Sequence, residues 1–190
     1  MEKTWVLVVD TETTGFPPKN TPIEDSKAWD QCRVVQIAWS IFDETGRPRG
    51  DKCYIIQPDA NTVFSEGAVR VHGISKQKAQ TEGVPFSDVF NDLHVSLANI
   101  KTIVAHNIRF DDPVIQAEMY RAKRNSLLTL WNTKERYCTM LSGTRPGERW
   151  PKLAVLYERL YGKPAEGRLH SADTDVALCA DIYFRQMGKR

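Results

Sequence analysis

Two carboxylates near the N-terminus have the spacing expected of a metal site. Asp10 and Glu12 come directly after the apolar run Trp5 to Val9, which is typical of a buried strand. Because side chains two residues apart on a strand point to the same side, these two carboxylates lie together and repel each other. A cation relieves this repulsion, and hard oxygen ligands suit Mg²⁺ or Mn²⁺. An acidic strand end that binds no ion is the alternative interpretation of the pair.

A second group of polar residues, 106–113, follows another apolar run, at the kind of strand end where open sheets bind ligands. Asp112 precedes a proline, and this order predicts a helix N-cap. Asp111 has no such structural role, so it is the stronger candidate for chemistry. For His106 and Asn107, turn formation and hydrogen bonding to neighbouring groups are favoured over direct catalysis.

A third group, residues 170–175, stands at the start of the last predicted helix. Ser171 or Asp173 is suited to capping, because hydroxyl and acidic side chains favour a helix N-terminus. Asp175 lies deeper, where capping no longer explains it. His170 could serve as a general base, because histidine is the residue type suited to proton transfer near neutral pH, or it could be structural.

In order, the three segments read Asp10-Thr11-Glu12-Thr13-Thr14-Gly15, His106-Asn107-Ile108-Arg109-Phe110-Asp111 and His170-Ser171-Ala172-Asp173-Thr174-Asp175. They resemble the motifs of the DnaQ-like, or DEDDh, 3′-to-5′ exonucleases, which read Asp-x-Glu-Thr-Thr-Gly, His-Asn-x-x-Phe-Asp and His-x-Ala-x-x-Asp. Every defining position matches, and the resemblance covers essentially the whole chain from Trp5 to the last helix. It selects Asp111 over Asp112, and Asp175 over Asp173.

The resemblance implies hydrolysis of nucleic acid from the 3′ end, by a two-metal mechanism that releases nucleoside 5′-monophosphates. The implied cofactors are two Mg²⁺ or Mn²⁺ ions, one activating water and the other stabilising the leaving oxygen. Their implied ligands are Asp10, Glu12, Asp111 and Asp175. His170 is the implied general base.

The implied substrate is the single-stranded 3′ end of DNA or RNA. The residues expected beside the terminal nucleotide are Thr13, Thr14, Asn107 and Phe110. For Phe110, packing in the core is favoured over contact with the nucleotide. The resemblance also allows two kinds of protein partner, a second copy of this chain in a homodimer or a polymerase or other replication protein. The alternatives are a catalytically silent nucleic-acid-binding or polymerase-associated subunit of the same fold, and an endonuclease.

The pattern of apolar residues predicts an α/β fold in one domain spanning residues 1–190. The predicted strands are Trp5 to Val9, Val34 to Phe42, Cys53 to Ile56 and Thr102 to Ala105. One predicted helix begins near Phe86, a second runs from Pro113 to about Lys123, a third begins near Leu153 and is closed by Gly162, and the last runs from Ala172 to Gln186. Between the first two motifs, Gly73 is expected to make a turn and Ser75 to cap a helix. The resemblance implies a ribonuclease-H-like mixed five-stranded sheet with helices on both faces.

Two features depart from the resemblance. Many relatives have Asp-Thr after a late strand, whereas this chain has Cys138-Thr139. The stretch from Pro17 to Gln31 is also longer than the link expected between the first two strands. It is either a surface loop or a border of the site that shapes substrate choice.

The overall composition adds little about partners. The net charge is +2, so nucleic-acid binding must depend on local groups. The basic candidates are Arg121, Lys123, Arg124, Lys134, Arg136, Arg145, Arg149 and Lys152, each of which could track phosphates or lie on a solvated face. Trp131 and Trp150 could stack on bases or pack against the protein.

Four widely spaced cysteines predict reduced thiols, mostly buried, rather than a zinc site or disulfides. No secretion signal and no run of about 20 apolar residues is visible. We therefore expect a protein of the cytosol or nucleus that has no membrane partner.

Overall fold

A computed structural model describes residues 4–167 and 169–189. Within them the chain forms a five-stranded sheet with the spatial order β3-β2-β1-β4-β5. The strands are β1 Trp5–Thr13, β2 Val34–Phe42, β3 Pro48–Ile55, β4 Ile100–Ala105 and β5 Glu135–Cys138. β2 runs antiparallel to β1 and β3, whereas β4 runs parallel to β1 and β5. The expected mixed sheet is therefore confirmed.

Helices cover both faces of this sheet. They are α1 Glu66–His72, α2 Lys76–Glu82, α3 Phe86–Ser96, α4 Ile108–Arg121, α5 Asn125–Asn132, α6 Thr139–Gly143, α7 Leu153–Tyr161 and α8 Ala172–Gln186. Leu7 and Val9 of β1 join the apolar cluster under α3 and α4. The alternate residues Val6 and Val8 join the cluster under α8. An apolar run without alternation suits this central strand, because both of its faces are buried.

The ladder between β1 and β2 extends further along β1 than the ladder between β1 and β4. β2 pairs with β1 as far as Thr13. The pairing with β4 ends where Val8 lies opposite Val104. The last residues of β1 thus extend beyond the ladder with β4, and this leaves room there for side chains brought in by helices.

The predicted start of α4 was wrong. The helix begins at Ile108, so Asp112 and Pro113 lie inside it. The carboxylate of Asp112 accepts hydrogen bonds from the indole of Trp131 at 2.6 Å and from the guanidinium of Arg136 at 3.1 Å. The Asp-Pro pair resembled a cap, but tertiary hydrogen bonding explains the aspartate.

Other boundaries agree with the sequence analysis. β2 and α8 have the predicted bounds, and α7 ends at Gly162, whose φ of 69° is left-handed. At the α1–α2 junction, Gly73 is also left-handed, and the Ser75 hydroxyl accepts the amide of Lys78. β3 begins at Pro48, five residues earlier than predicted.

The turn between β2 and β3 is organised by a buried carboxylate. Asp43 Oδ1 accepts the Thr45 hydroxyl at 2.7 Å, the Thr45 amide at 2.9 Å and the Arg47 amide at 3.0 Å. Arg49 pairs with Oδ2. The Thr45 hydroxyl, with the other donors of the turn, holds the pKa of Asp43 well below its usual range.

Three of the four cysteines are buried and all four are free thiols, as predicted. Among the described helices, none is both long and apolar enough to cross a membrane. The stretch 17–31 contains a short 3₁₀ turn, Ala28–Gln31, with Trp29 buried beneath it. Arg121 of α4 binds Asp30 of this stretch at 2.7 Å, so the stretch is fastened to the helical layer.

Candidate active site

A cleft of about 440 Å³ opens at the carboxyl end of β1. The lining residues are Asp10, Thr11, Glu12, Thr13, Gly15, Phe16, Ser65, Gly67, Ala68, Val71, His72, Phe110, His170 and Asp175. The cleft therefore gathers residues from all three sequence motifs. No residue of the stretch 17–31 lines it in the described part of the chain, which favours the surface-loop interpretation of that stretch.

Asp10 and Glu12 face α8 because of the strand period. Val6 and Val8 pack under α8, and residues 10 and 12 continue on the same side of β1. The first turn of α8 brings Asp175 to this side, and the preceding loop brings His170. Ligand atoms of Glu12, His170 and Asp175 all lie within 4.8 Å of one another.

The start of α8 is fixed by a hydrogen bond from the sheet. The side-chain oxygen of Gln36, on β2, accepts the Ala172 amide at 3.1 Å. Ser171 occupies the N-cap position, but its hydroxyl donates to Asp173 at 2.6 Å and caps no backbone amide. His170 has a left-handed φ of 61°. Its amide donates to Asp175 Oδ2 at 3.2 Å.

Asp111 approaches from the other face of the sheet. It lies in the first turn of α4, and its Oδ1 accepts the Thr11 hydroxyl at 2.7 Å and the Thr11 amide at 2.9 Å. Thr11 is the middle residue of the Asp-x-Glu motif, so its side chain points opposite to Asp10 and Glu12. Sequence reasoning overlooked Thr11, although its intervening position placed it toward the α4 side. Asp111 is buried and does not line the cleft as it stands.

Burial raises the pKa values of all four carboxylates, and repulsion from other members of the set adds to the rise at Asp10 and Glu12. For Asp10, burial comes first, followed by the charges of Asp111, Asp175 and Glu12. The pKa of Glu12 rises to about 7, through burial and then the charges of Asp175 and Asp111. Burial also raises the pKa of Asp111 to about 7, against the hydrogen bonds from Thr11. Burial raises the pKa of Asp175, and the neighbouring His170 opposes that rise.

The predicted substrate contacts divide into two groups. Thr13 and Phe110 line the cleft, and Phe110 also packs against the core beneath α4. Thr14 is buried, and its hydroxyl accepts the Arg33 amide at 3.0 Å. Asn107 has a left-handed φ of 69° immediately before α4. Thr14 and Asn107 do not line the cleft, so the structure gives them roles in shaping the backbone.

The cleft wall from α1 was not foreseen as part of the site. Ser65, Gly67, Ala68 and Val71 line it, and the Ser65 amide donates to the Thr14 carbonyl at 3.0 Å. This bond joins the wall to the end of β1. The exposed Phe16 completes the apolar rim. The expected turn at Gly73 and helix cap at Ser75 were the available sequence signals near this wall.

Gly15 explains why the first motif ends in glycine. A Cβ there would come within 2.7 Å of the Gln31 carbonyl oxygen. The backbone of the Thr-Thr-Gly turn therefore packs directly against the end of the stretch 17–31. Any larger residue would push this turn away from the cleft.

Several of the basic and aromatic candidates have internal roles. Trp131 is fully buried, so the packing alternative applies to it. Arg136 binds Asp112, and Arg121 binds Asp30, so both cations are engaged within the protein. Trp150, in contrast, is 60% exposed.

The donor set fits a divalent cation. Asp175 Oδ1 is buried and has no hydrogen-bond partner within the described residues. A buried carboxylate oxygen without a donor is costly to desolvate, and a bound cation removes that cost. The carboxylate oxygens match the preferences of Mg²⁺ and Mn²⁺, and His170 lies beside them without being required as a ligand. We therefore treat these residues as the candidate metal site.

A mixed five-stranded sheet with carboxylates gathered at the end of its central strand defines the ribonuclease-H-like class of nucleases. Residues 7–183 match the RNase_T family, which is described as an exonuclease. The chain is 28% identical over 187 residues to DNA polymerase III subunit epsilon of Rickettsia typhi, covering 97% of this chain and 74% of that one. The Rickettsia conorii subunit is 29% identical at the same coverage.

A solved structure also shares this fold. Zinc-bound E. coli exonuclease I in complex with single-stranded DNA matches with a TM-score of 0.72 and 21% identity, over 99% of this chain and 41% of that one. This chain therefore spans about two fifths of exonuclease I. The chain belongs to the RNase_T exonuclease family, and its resemblance to the DnaQ-like group is confirmed. The predicted enzyme class, a 3′-to-5′ exonuclease, is confirmed with it.

Proposed function

We propose that this exonuclease hydrolyses the last phosphodiester bond at the 3′ end of a single nucleic-acid strand and releases nucleoside 5′-monophosphates. The proposed catalytic set is Asp10, Glu12, Asp111, His170 and Asp175, with Mg²⁺ or Mn²⁺ as cofactor. Thr13 and Phe110 contact the terminal nucleotide. The homodimer expected from the resemblance stays a prediction.

The cluster at Asp175 carries this proposal. Ligand atoms of Glu12 and His170 lie within 4.8 Å of its carboxylate, which keeps one oxygen without a donor in the described residues. When bound, Mg²⁺ or Mn²⁺ neutralises the carboxylates, activates water and stabilises the leaving oxygen. Asp10, Glu12 and Asp175 would hold the ions from the α8 side of β1. Asp111 would contribute from the α4 side, with Thr11 fixing one of its oxygens.

His170 is suited to accept the proton of the attacking water. It is exposed at the cleft, and its backbone amide is bound to Asp175, so the loop that carries it is fixed beside the carboxylates. A ring nitrogen of His170 lies within 4.8 Å of the carboxylate oxygens of Glu12 and Asp175, so the ring that would accept the proton is held beside the site. Thr13 lies at the strand end and Phe110 on α4, on two sides of the space left for the terminal nucleotide.

The test is metal-dependent release of mononucleotides from 5′-labelled single-stranded DNA and RNA. Asp175→Asn should abolish the ladder that grows from the 3′ end. Asp173→Asn is the matched control, because Asp173 lies in the same helical turn but outside the cleft. Wild-type rates in Asp175→Asn, or equal losses in both variants, would disprove the assignment. A circular substrate distinguishes an endonuclease, which alone can cut it.

His170 has its own test. His170→Ala should lower turnover more than it lowers affinity for Mn²⁺, measured by calorimetric titration. If His170→Ala kept the wild-type turnover rate across neutral pH, His170 would not be the general base. A variant that loses metal binding and rate in parallel would make it a ligand instead.

A second proposal concerns a partner. The Rickettsia relatives are named as subunits of DNA polymerase III, and this chain covers 74% of their length. We propose on that similarity that a polymerase binds this chain, with DNA as the substrate. Co-purification of the tagged chain with a replicative polymerase from its own cells would support this. Failure to co-purify would count against the polymerase partner, and a wild-type preference for RNA over DNA would count against DNA as the substrate.

A further inference from the structure

The irregular segment 144–152, between α6 and α7, is held in place by His106. We call this segment the anchored loop. The Nε2 atom of His106 lies 3.0 Å from the Pro151 carbonyl oxygen, and Nδ1 lies 3.0 Å from the Thr139 hydroxyl. Since a carbonyl only accepts, Nε2 carries the proton and donates it, and Nδ1 of the neutral ring accepts from Thr139.

This anchor lies beside the catalytic carboxylates. The last pair between β1 and β4 joins Val8 and Val104, and β4 ends at Ala105, so His106 leaves the sheet beside the end of β1 that carries Asp10. Val8 and Val104 both pack under α8, and Asp10 follows Val8 on that side of β1. The Thr139 hydroxyl that binds His106 also contacts Cys179 of α8 at 3.6 Å, so the ring of His106 lies on the same side. The anchored loop therefore lies on the β4 side of the site, whereas the α1 wall is joined to the other side at Thr14.

The anchored loop presents an aromatic ring and two cations to solvent. Trp150 is 60% exposed, in contrast to the fully buried Trp29, Trp39 and Trp131. Arg149 and Lys152 flank it and are exposed, and neither has an ion-pair partner within residues 4–167 and 169–189. The acidic residue of the loop, Glu148, is neutralised by Arg159 at 3.0 Å and Arg145 at 3.9 Å.

We propose that the anchored loop is a second nucleic-acid subsite, separate from the cleft that receives the terminal nucleotide. Trp150 stacks on a base upstream of the scissile bond, and Arg149 and Lys152 contact the phosphates on either side of it. Stacking on an exposed indole accepts any base, and neighbouring cations follow the backbone. This subsite rests on the proposed function, because the strand that it binds is the one whose 3′ end lies over Asp10.

The central experiment compares a long and a short substrate. An oligothymidylate occupies both subsites, whereas the p-nitrophenyl ester of thymidine 5′-monophosphate has no upstream nucleotide. For Trp150→Ala we expect KM for the oligonucleotide to rise about fivefold or more, as for the loss of one stacked base. Hydrolysis of the ester should stay at the wild-type rate. Trp150→Phe keeps an aromatic face and should recover most of the affinity.

The control is Val95→Ala, because Val95 is an exposed apolar residue at the end of α3. It should change neither substrate's kinetics. The proposal is overturned if Trp150→Ala leaves KM for the oligonucleotide unchanged. It is also overturned if Trp150→Phe loses as much as Trp150→Ala, since stacking then plays no part. If Trp150→Ala lowered ester hydrolysis as much as it lowered oligonucleotide hydrolysis, Trp150 would act by supporting the structure of the cleft, and the proposal would again be overturned.

The cations have a separate measurement. Binding of a labelled oligothymidylate by anisotropy, in EDTA, should weaken in Arg149→Ala and Lys152→Ala, and the salt dependence should decrease by about 0.7 in slope for each lost phosphate contact. Lys101→Ala removes an exposed cation at the opposite end of β4 and should leave the slope unchanged. Equal slopes in all three variants would contradict phosphate contact. This binding assay needs no turnover, so it decides the subsite even if the wild-type protein hydrolyses neither substrate.

Discussion

Glu12→Gln should stabilise the metal-free protein. The pKa of Glu12 rises from an ordinary 4.5 to about 7, because burial and then the charges of Asp175 and Asp111 disfavour the ionised form. A rise of this size corresponds to at most about 3 kcal/mol of differential stability. Because Glu12 is partly open to the solvent of the cleft, screening reduces the expected value to about 1–2 kcal/mol.

The sign of the pH dependence follows from the raised pKa. Below pH 4.5 both the folded and unfolded chains hold the Glu12 proton, so the carboxyl carries no penalty. Between pH 4.5 and 7 the unfolded chain releases the proton first, and the penalty grows until it is complete above pH 7. In EDTA, the advantage of Glu12→Gln over the wild type should therefore increase through this window.

Thermal and urea unfolding in EDTA measure this difference. At pH 7.5 we expect a Tm higher by about 2–8 °C in Glu12→Gln, at about 2–4 °C for each kcal/mol in a domain of this size. Mg²⁺ should reverse the order, since roughly a hundredfold excess over its Kd stabilises the intact site by about 2.7 kcal/mol. Glu44→Gln, in the exposed β2–β3 turn, is the control and should show neither effect. A Glu12→Gln protein less stable than the wild type at pH 7.5 without metal would refute the reasoning.

Three further predictions concern buried polar groups. Arg33→Met removes the guanidinium that lies 2.7 Å from the buried carboxylate of Glu118 and leaves it Arg121 at 3.6 Å. Urea unfolding should therefore show a loss of about 1.5–3 kcal/mol, as for one hydrogen bond to a buried charge. A loss well below about 1 kcal/mol, as for an exposed pair, would contradict this expectation. Hydrogen bonds within the β2–β3 turn, above all the one from the Thr45 hydroxyl, lower the pKa of Asp43. The ionised carboxylate therefore contributes to folding stability above about pH 4, and this contribution is lost on further acidification. The stability gap between wild type and Asp43→Asn should thus narrow as the pH falls below 4, and a constant gap would exclude this linkage. Thr11→Val removes the 2.7 Å bond to Asp111 and should lower stability by about 1.5–3 kcal/mol in EDTA at pH 8, whereas Thr11→Ser, which keeps the hydroxyl, should lose clearly less by the same measurement.

The carboxylates of the site were predictable because they stand at element ends with fixed periods. Asp10 and Glu12 share one side of β1, and the approach of Asp175 to Glu12 follows from the start of α8, which the sequence pattern placed correctly. The role of Thr11 depends on which helix covers the opposite face of the sheet. That is a property of tertiary packing and is not visible in the motif itself.

Elements of the fold were predictable where the apolar pattern extends over many residues and is bounded by turn or cap residues. β2 and α8 agree residue for residue with the sequence pattern. The predicted start of α4 was wrong because a proline usually marks the first turn of a helix. Here the helix starts five residues earlier, and Pro113 lies inside it. The short helices α1, α5 and α6 bury few residues each, so their apolar periods were too brief to identify them. For α2, only the cap at Ser75 was predicted.

The placement of the four carboxylates shows how the fold tolerates them without metal. Asp111 and Asp175 each lie in the first turn of a helix, where the macrodipole favours an anion by about 0.3–1 kcal/mol, and up to about 2 kcal/mol when partly buried. Asp10 and Glu12 lie on a strand and have no such support, so their repulsion is left to a cation. The helix ends thus stabilise two of the four carboxylates, whereas the strand pair depends on a cation. Since the strand pair lacks dipole support, replacing Glu12 should relieve the apo protein more than replacing Asp175 does.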